Sequence, residues 1–164
     1  MVNRIWHYLI GNGLVRTIDN FGMMGEMPSH ADLLDWLAHQ FVVDQWSVKK
    51  MIRRIVMSRT YRLASTGESL GWSTDPENRL IWRANRKRLT AEAIRDSILS
   101  VSGQLSMQQG GPTIRKFSQY DLGYEFNTIR RSVYVPLFRN TLLELFEGFD
   151  LANPNVSTGR RSET

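Results

Sequence analysis

The chain has 164 residues, enough for one domain with a sizeable buried core. Its 41% hydrophobic and 23% charged content excludes wholesale disorder. The absence of cysteine excludes disulfides, thiolate metal sites, thiol nucleophiles and a c-type haem attachment pair, while a net charge of +5 directs attention to acidic partners. No stretch of about 18 apolar residues exists to span a bilayer. No signal-peptide pattern opens the chain, because Val2–Ile10 is apolar on one side only and carries Asn3, Arg4 and His7.

Apolar residues at 2, 5, 6, 9 and 10 predict a first helix over 2–10, stopped by Gly11 and Gly13. Residues 11–28 read as an ordered connection whose Leu14, Val15, Ile18 and Phe21 fold back into the core. Ser29, with Asp32 three residues on, predicts a capped helix ending near Val43, with Leu33, Leu34, Leu37, Ala38 and Phe41 inward. Ser47 caps a third helix. Its inward row is Val48, Met51, Ile52, Ile55 and Val56, and its outward row is Lys49, Lys50, Arg53 and Arg54.

Residues 64–75 read as a polar, Gly-rich loop, and Asp75-Pro76-Glu77 as the start of a further helix. Thr90 opens another, with Ile94, Ile98, Leu99 and Val101 apolar and Gly103 as its stop. Gly110-Gly111-Pro112 is a turn, Arg131–Val135 a short strand ended by Pro136, and 137–146 a last helix before a loop-like tail. The expectation is a single all-α domain over 1–164: an irregular bundle of five or six helices, long ordered loops, at most a minimal β-hairpin, and a tail at 152–164.

The opening block Val2-Asn3-Arg4-Ile5-Trp6, Gly11-Asn12-Gly13-Leu14-Val15-Arg16 and Asp19-Asn20-Phe21-Gly22 is distinctive. So are Pro28-Ser29-His30, Leu33-Leu34-Asp35-Trp36-Leu37, Asp75-Pro76-Glu77-Asn78-Arg79-Leu80, Gly110-Gly111-Pro112 and Pro154-Asn155-Val156-Ser157-Thr158-Gly159-Arg160-Arg161. Together these segments closely resemble a bacterial family best known from Planctomycetes, domain of unknown function fifteen fifty-three. The resemblance runs over nearly the whole chain. It implies a piece of a larger exported protein, periplasmic or at the cell surface, beside c-type cytochrome-like or carbohydrate-binding-like modules. Relatives extend beyond both ends, so the chain resembles a truncated domain. Any haem belongs to a neighbouring module, and the family supplies no catalytic residues.

Several constellations remain. Asn3 and His7 lie one helical turn apart beside the apolar stripe, but His30 and His39 lack ligand-like spacing, so no metal site is expected. Asp19, Glu92 and Asp96 are candidate acids or bases for a carbohydrate-active enzyme, with His7 assisting; local ion pairing explains them more simply. Residues 47–62 hold six cations and no acid, a pattern that suits nucleic acid as well as the wet side of an amphipathic helix. Trp82 reads as a core anchor rather than a base-stacking platform.

Arg131, Arg139, Arg160 and Arg161 form a candidate anion-recognition group, since guanidinium forks suit carboxylate, sulfate or phosphate. The reading that unites these features is a non-catalytic binding or scaffold module for a partner domain or anionic ligand. Its expected contact residues are Asn3, His7, Arg16, Asp19, Asn20, Arg131, Arg139, Arg160 and Arg161. The alternatives are the carboxylate enzyme and nucleic-acid binding through helix 47–62.

Overall fold

The computed structural model describes residues 1–67, 69–114, 124–149 and 151. They form α1 (Val2–Ile10), α2 (Ala31–Val43), α3 (Val48–Val56), α4 (Ser69–Thr74), α5 (Ala91–Val101) and α6 (Glu144–Gly148), with 3-10 turns at Thr60–Arg62 and Ser132–Tyr134. Among the described residues the β pairing is confined to a parallel bridge between Ser106 and Arg130, so the fold is all-α. The chain divides into two compact units, Met1–Lys87 and Arg88–Thr164.

In the first unit, the predicted stripe of α1 packs on α2 and α3. Val2, Ile5, Trp6 and Ile10 meet Leu37, Phe41, Met51 and Ile55 in one buried cluster, where Leu14 joins them. Val15 and Ile18 are buried as expected, whereas Phe21 is 57% exposed. The inward rows of α2 and α3 are narrower than their periodicity suggested. Leu33 and Leu34 are partly covered and Ala38 is exposed, and on α3 Val48 and Ile52 face outward. Each helix touches its neighbours along one ridge, so only Leu37 with Phe41, and Met51 with Ile55, close completely.

The helix ends show how the loops are held. The last four carbonyls of a helix have no partner inside it. Those of α1 are met by Gly11 N–H on His7 (2.8 Å), Lys87 Nζ on Tyr8 (2.6 Å) and Leu9 (3.1 Å), and Asn85 Nδ2 on Ile10 (3.2 Å). A cation here also complements the helix dipole. Ser47 Oγ accepts from Lys50 N–H (3.4 Å), as predicted. Ser29 does not cap α2. Its N–H (2.8 Å) and hydroxyl (3.3 Å) both donate to the Leu14 carbonyl, tying the 11–28 connection to the start of the helix.

At its other end, α2 stops in a Schellman motif made without glycine. Trp46 N–H reaches back to the Phe41 carbonyl (2.8 Å) and Gln45 N–H to that of Val42 (2.9 Å), while the Trp46 and Phe41 rings meet edge to face at 5.4 Å. Gln45 and Trp46 are both left-handed, with φ of 55° and 59°, at a cost of about 1–2 kcal/mol each.

The Gly-rich 64–75 segment is not all loop, because α4 occupies its second half. Trp82 explains it: the indole lies against Gly67 and Gly71, where an added Cβ would sit 2.4 and 2.7 Å from ring atoms, and Trp72 packs on it edge to face. Trp82 also donates from Nε1 to the Asp75 carbonyl (2.9 Å), so it anchors this region. The helix expected after Asp75 is absent. Asn78 (φ 54°) and Ile81 (φ 57°) are left-handed and bend the segment into turns instead.

In the second unit, Thr90 caps α5 through Ala93 N–H (3.3 Å), and Gly103 (φ 71°) ends it as predicted. Its buried face is Ala91 and Arg95 rather than an aliphatic row; Ile98 and Val101 are exposed. Residues 131–135 are no strand. A 3-10 turn replaces it, closed by Tyr134 N–H on Arg131 and Val135 N–H on Ser132. The last helix is one turn, beginning at Glu144 instead of 137, and Phe146 seats beside Ala91 and Val135. The expected tail, 152–164, lies outside the described residues.

Gln45→Gly removes the Cβ penalty at the left-handed position of the α2 stop. The variant should gain about 0.5–1 kcal/mol, read as a higher urea midpoint with unchanged m-value.

Candidate functional site

Asn3 faces inward on α1 and is 3% exposed, a position that requires both ends of its amide to be bonded. Its Nδ2 donates to the Val15 carbonyl (2.9 Å) and its Oδ1 accepts the Val15 N–H (2.9 Å). The chain between them turns at Gly13, where a Cβ would lie 2.3 Å from the Val15 carbonyl and 2.9 Å from the Asn3 amide. His7, one turn along, is buried with its ring edge to face on Tyr8 at 5.5 Å.

The remaining candidates of this block decorate the same connection. Arg16 donates to the Glu77 carboxylate (2.8 Å) and carbonyl (3.2 Å). Asp19 pairs with Arg4 at 2.9 Å in an exposed ion pair. Asn20 Nδ2 donates to the Met24 carbonyl (3.0 Å), and Thr17 Oγ1 donates to the Asn20 carbonyl while accepting Glu26 N–H. These residues fasten a loop to itself and to the 75–87 segment.

That segment has its own centre. Asn78 is 3% exposed; its Nδ2 donates to the Arg83 carbonyl (2.8 Å) and Asn85 Oδ1 (2.9 Å), and its Oδ1 accepts Arg83 N–H (3.3 Å). Asp75 accepts Arg79 N–H and Leu80 N–H on its two oxygens at 2.9 and 2.8 Å. The Leu80 bond foremost holds the Asp75 carboxyl below its ordinary 3.8, the Arg79 bond and the Arg16 and Arg79 charges adding to it.

In the second unit two arginines do comparable work. Arg95, buried on α5, donates to the carbonyls of Arg130 (2.9 Å) and Thr128 and to Ser132 Oγ (3.3 Å). Burial lowers its pKa, against the opposing charge of Asp96. Asp96 Oδ1 accepts both Ser132 N–H and Ser132 Oγ–H at 2.7 Å. Arg130 donates to the Gly110 and Pro112 carbonyls and lies 3.7 Å from the Tyr134 ring centroid, whose hydroxyl accepts Gly110 N–H (2.8 Å). The Gly110–Pro112 turn is thereby clamped. A hollow of about 390 Å³ lies beside it, lined by Tyr124, Asn127, Arg130 and Tyr134 among others.

Of the candidate acids, Asp19 belongs to the first unit and Glu92 and Asp96 to the second. Of the candidate arginines, Arg131 and Arg139 are exposed, and Arg160 and Arg161 lie outside the described residues. Among the described residues, no group of three or more His, Asp or Glu is placed to hold a metal ion, and no helix is long and apolar enough to cross a membrane. Sequence reading missed Asn78, Arg95 and Arg130. The spacing Ala91–Arg95 carried the one available signal, a cation one turn from a small residue on the covered side of a helix.

A family model described as PSD1, protein of unknown function (DUF1553), matches residues 1–164. The chain belongs to this family. No curated protein and no solved structure matches it. Of the distinctive residues of this PSD1 chain, Asn3, Arg16, Asn20, Asp75 and Asn78 bond backbone groups through their side chains.

Asn3→Leu leaves the buried N–H and C=O of Val15 without these partners and should cost about 2–4 kcal/mol in chemical denaturation. Asn3→Asp should not restore stability, since it cannot donate to the carbonyl. Asp75 has a depressed folded pKa, so its contribution is complete above 3.8 and lost as pH falls from there through the folded value. Urea midpoints measured down this acid limb should fall less steeply in Asp75→Asn than in the parent chain.

Proposed function

We propose that this PSD1 domain is a non-catalytic binding or scaffold module that docks a partner domain or an anionic ligand. One observation carries the reading: Asn3, Asn20, Asp75, Asn78, Arg95 and Asp96 all bond backbone groups of loops. Chemistry that a hydrolase would aim at substrate is used here to hold connections in place. Preorganised loops lower the entropic cost of docking. The family resemblance supports an exported protein with a c-type cytochrome-like neighbour, which makes that neighbour the partner of choice.

The carboxylate-enzyme alternative draws less support. Asp19 is engaged by Arg4, and Asp96 accepts two bonds from Ser132 on one oxygen. A general base is directed at substrate, whereas the Oδ1 atoms of these two carboxylates are directed at neighbouring side chains and backbone. The test pairs two measurements on the intact chain. Titration with the separately expressed neighbouring module should give saturable heat, and a panel of aryl glycosides and polysaccharides should show no turnover. Glycoside turnover that Asp19→Asn or Asp96→Asn abolishes, with an unchanged circular dichroism spectrum, would overturn the proposal.

A further inference from the structure

In the first unit, large apolar side chains of α2 and of the turn after it stand exposed beside cations. On α2, Trp36 and Val43 lie seven residues apart, on one face, and are 48% and 60% exposed. Trp46 follows at 66%, held out by the left-handed turn at Gln45 and Trp46.

Charge is concentrated in the same segment. Between residues 36 and 67 stand six cations (Lys49, Lys50, Arg53, Arg54, Arg59, Arg62) and one acid, Asp44, an excess as large as the net +5 of the whole chain. The cations and the tryptophans are joined. Arg54 lies 5.6 Å from the Trp36 ring centroid and donates to Asp44 at 2.7 Å, and Lys50 lies 3.8 Å from the same carboxylate. Asp44 thus orients two side chains without cancelling the surplus.

We infer that the α2–α3 surface, centred on Trp36, Trp46 and Arg54, docks an acidic amphipathic segment of a partner protein. The inference rests on the docking reading and specifies its contact face. Tryptophan and arginine are the residues most enriched among energetic centres of protein interfaces. Cations around them select a partner bearing carboxylates and speed its approach. Val43, on the same face of α2 as Trp36, adds an aliphatic side chain to this patch, which gains by burial against Leu or Ile of an amphipathic helix.

The probe is a synthetic helical peptide with glutamate on one face and leucine on the other, added to the isotope-labelled intact chain. Amide shifts should cluster within 36–54, indole emission should move to the blue, and affinity should fall as salt rises. Lys49→Glu/Lys50→Glu/Arg53→Glu, all on exposed positions, should weaken binding roughly tenfold or more with the dichroism spectrum unchanged. Trp36→Ser supplies a second, uncharged variant with the same expected direction.

Shifts confined to other residues, or affinity indifferent to both variants, would remove the assignment. So would single-stranded DNA or phosphatidylglycerol vesicles moving these amides while the peptide does not. If the neighbouring module binds equally well to parent and variants, the docking function stands and this face is not its site. If neither the module nor the acidic peptide binds, the docking reading itself falls.

Discussion

A carboxamide placed on the buried side of a helix must find a donor and an acceptor together, and a single peptide group offers both. Asn3 takes the N–H and C=O of Val15, and that reciprocal pair makes the 11–28 connection part of the core. Leu14, Val15 and Ile18 can be buried only because the chain turns back at Gly13, against the amide. Burial of their apolar surface then stabilises α1, which on its own is far too short to persist in water.

The same device recurs with different side chains. Asn78 holds the 78–85 turn, Lys87 and Asn85 complete the end of α1, and in the second unit Arg95 and Arg130 gather backbone carbonyls around α5 and the Gly110–Pro112 turn. With short helices and few apolar ridges, polar side chains carry much of the work that a continuous core does in a longer bundle. A buried group of this kind is costly to leave unpaired, so each defines one arrangement of its loop. Ordered loops of this sort are what the proposed docking module requires, since they reduce the entropy lost on binding.

Much of the helical framework was legible in the residues. The stripe of α1, the Ser47 and Thr90 caps, the Gly103 stop and the anchoring role of Trp82 all follow from local rules, because each involves neighbours within a turn or one large apolar ring. Ser29 misled because its hydroxyl found the Leu14 carbonyl, a long-range acceptor that no local pattern announces. Asp75-Pro76-Glu77 misled similarly: its start signals are sound, but left-handed Asn78 diverts the chain and donates to Arg83 and Asn85. Distinctive residues such as Asn3 and Arg16 were legible as important but not as structural, since their partners lie 12 and 61 positions away.

By itself the sequence determined the all-α class, the family, the absence of cysteine chemistry and the concentration of positive charge between residues 47 and 62. The class and the charge depend on composition and on periodicity within a few residues, the family on a resemblance that runs over nearly the whole chain. Tertiary structure alone decided which apolar rows close, which polar side chains bond loops, and which aromatic rings remain in water. Those outcomes depend on contacts between segments far apart in the chain, where a carbonyl or a ridge becomes available only after the helices have packed.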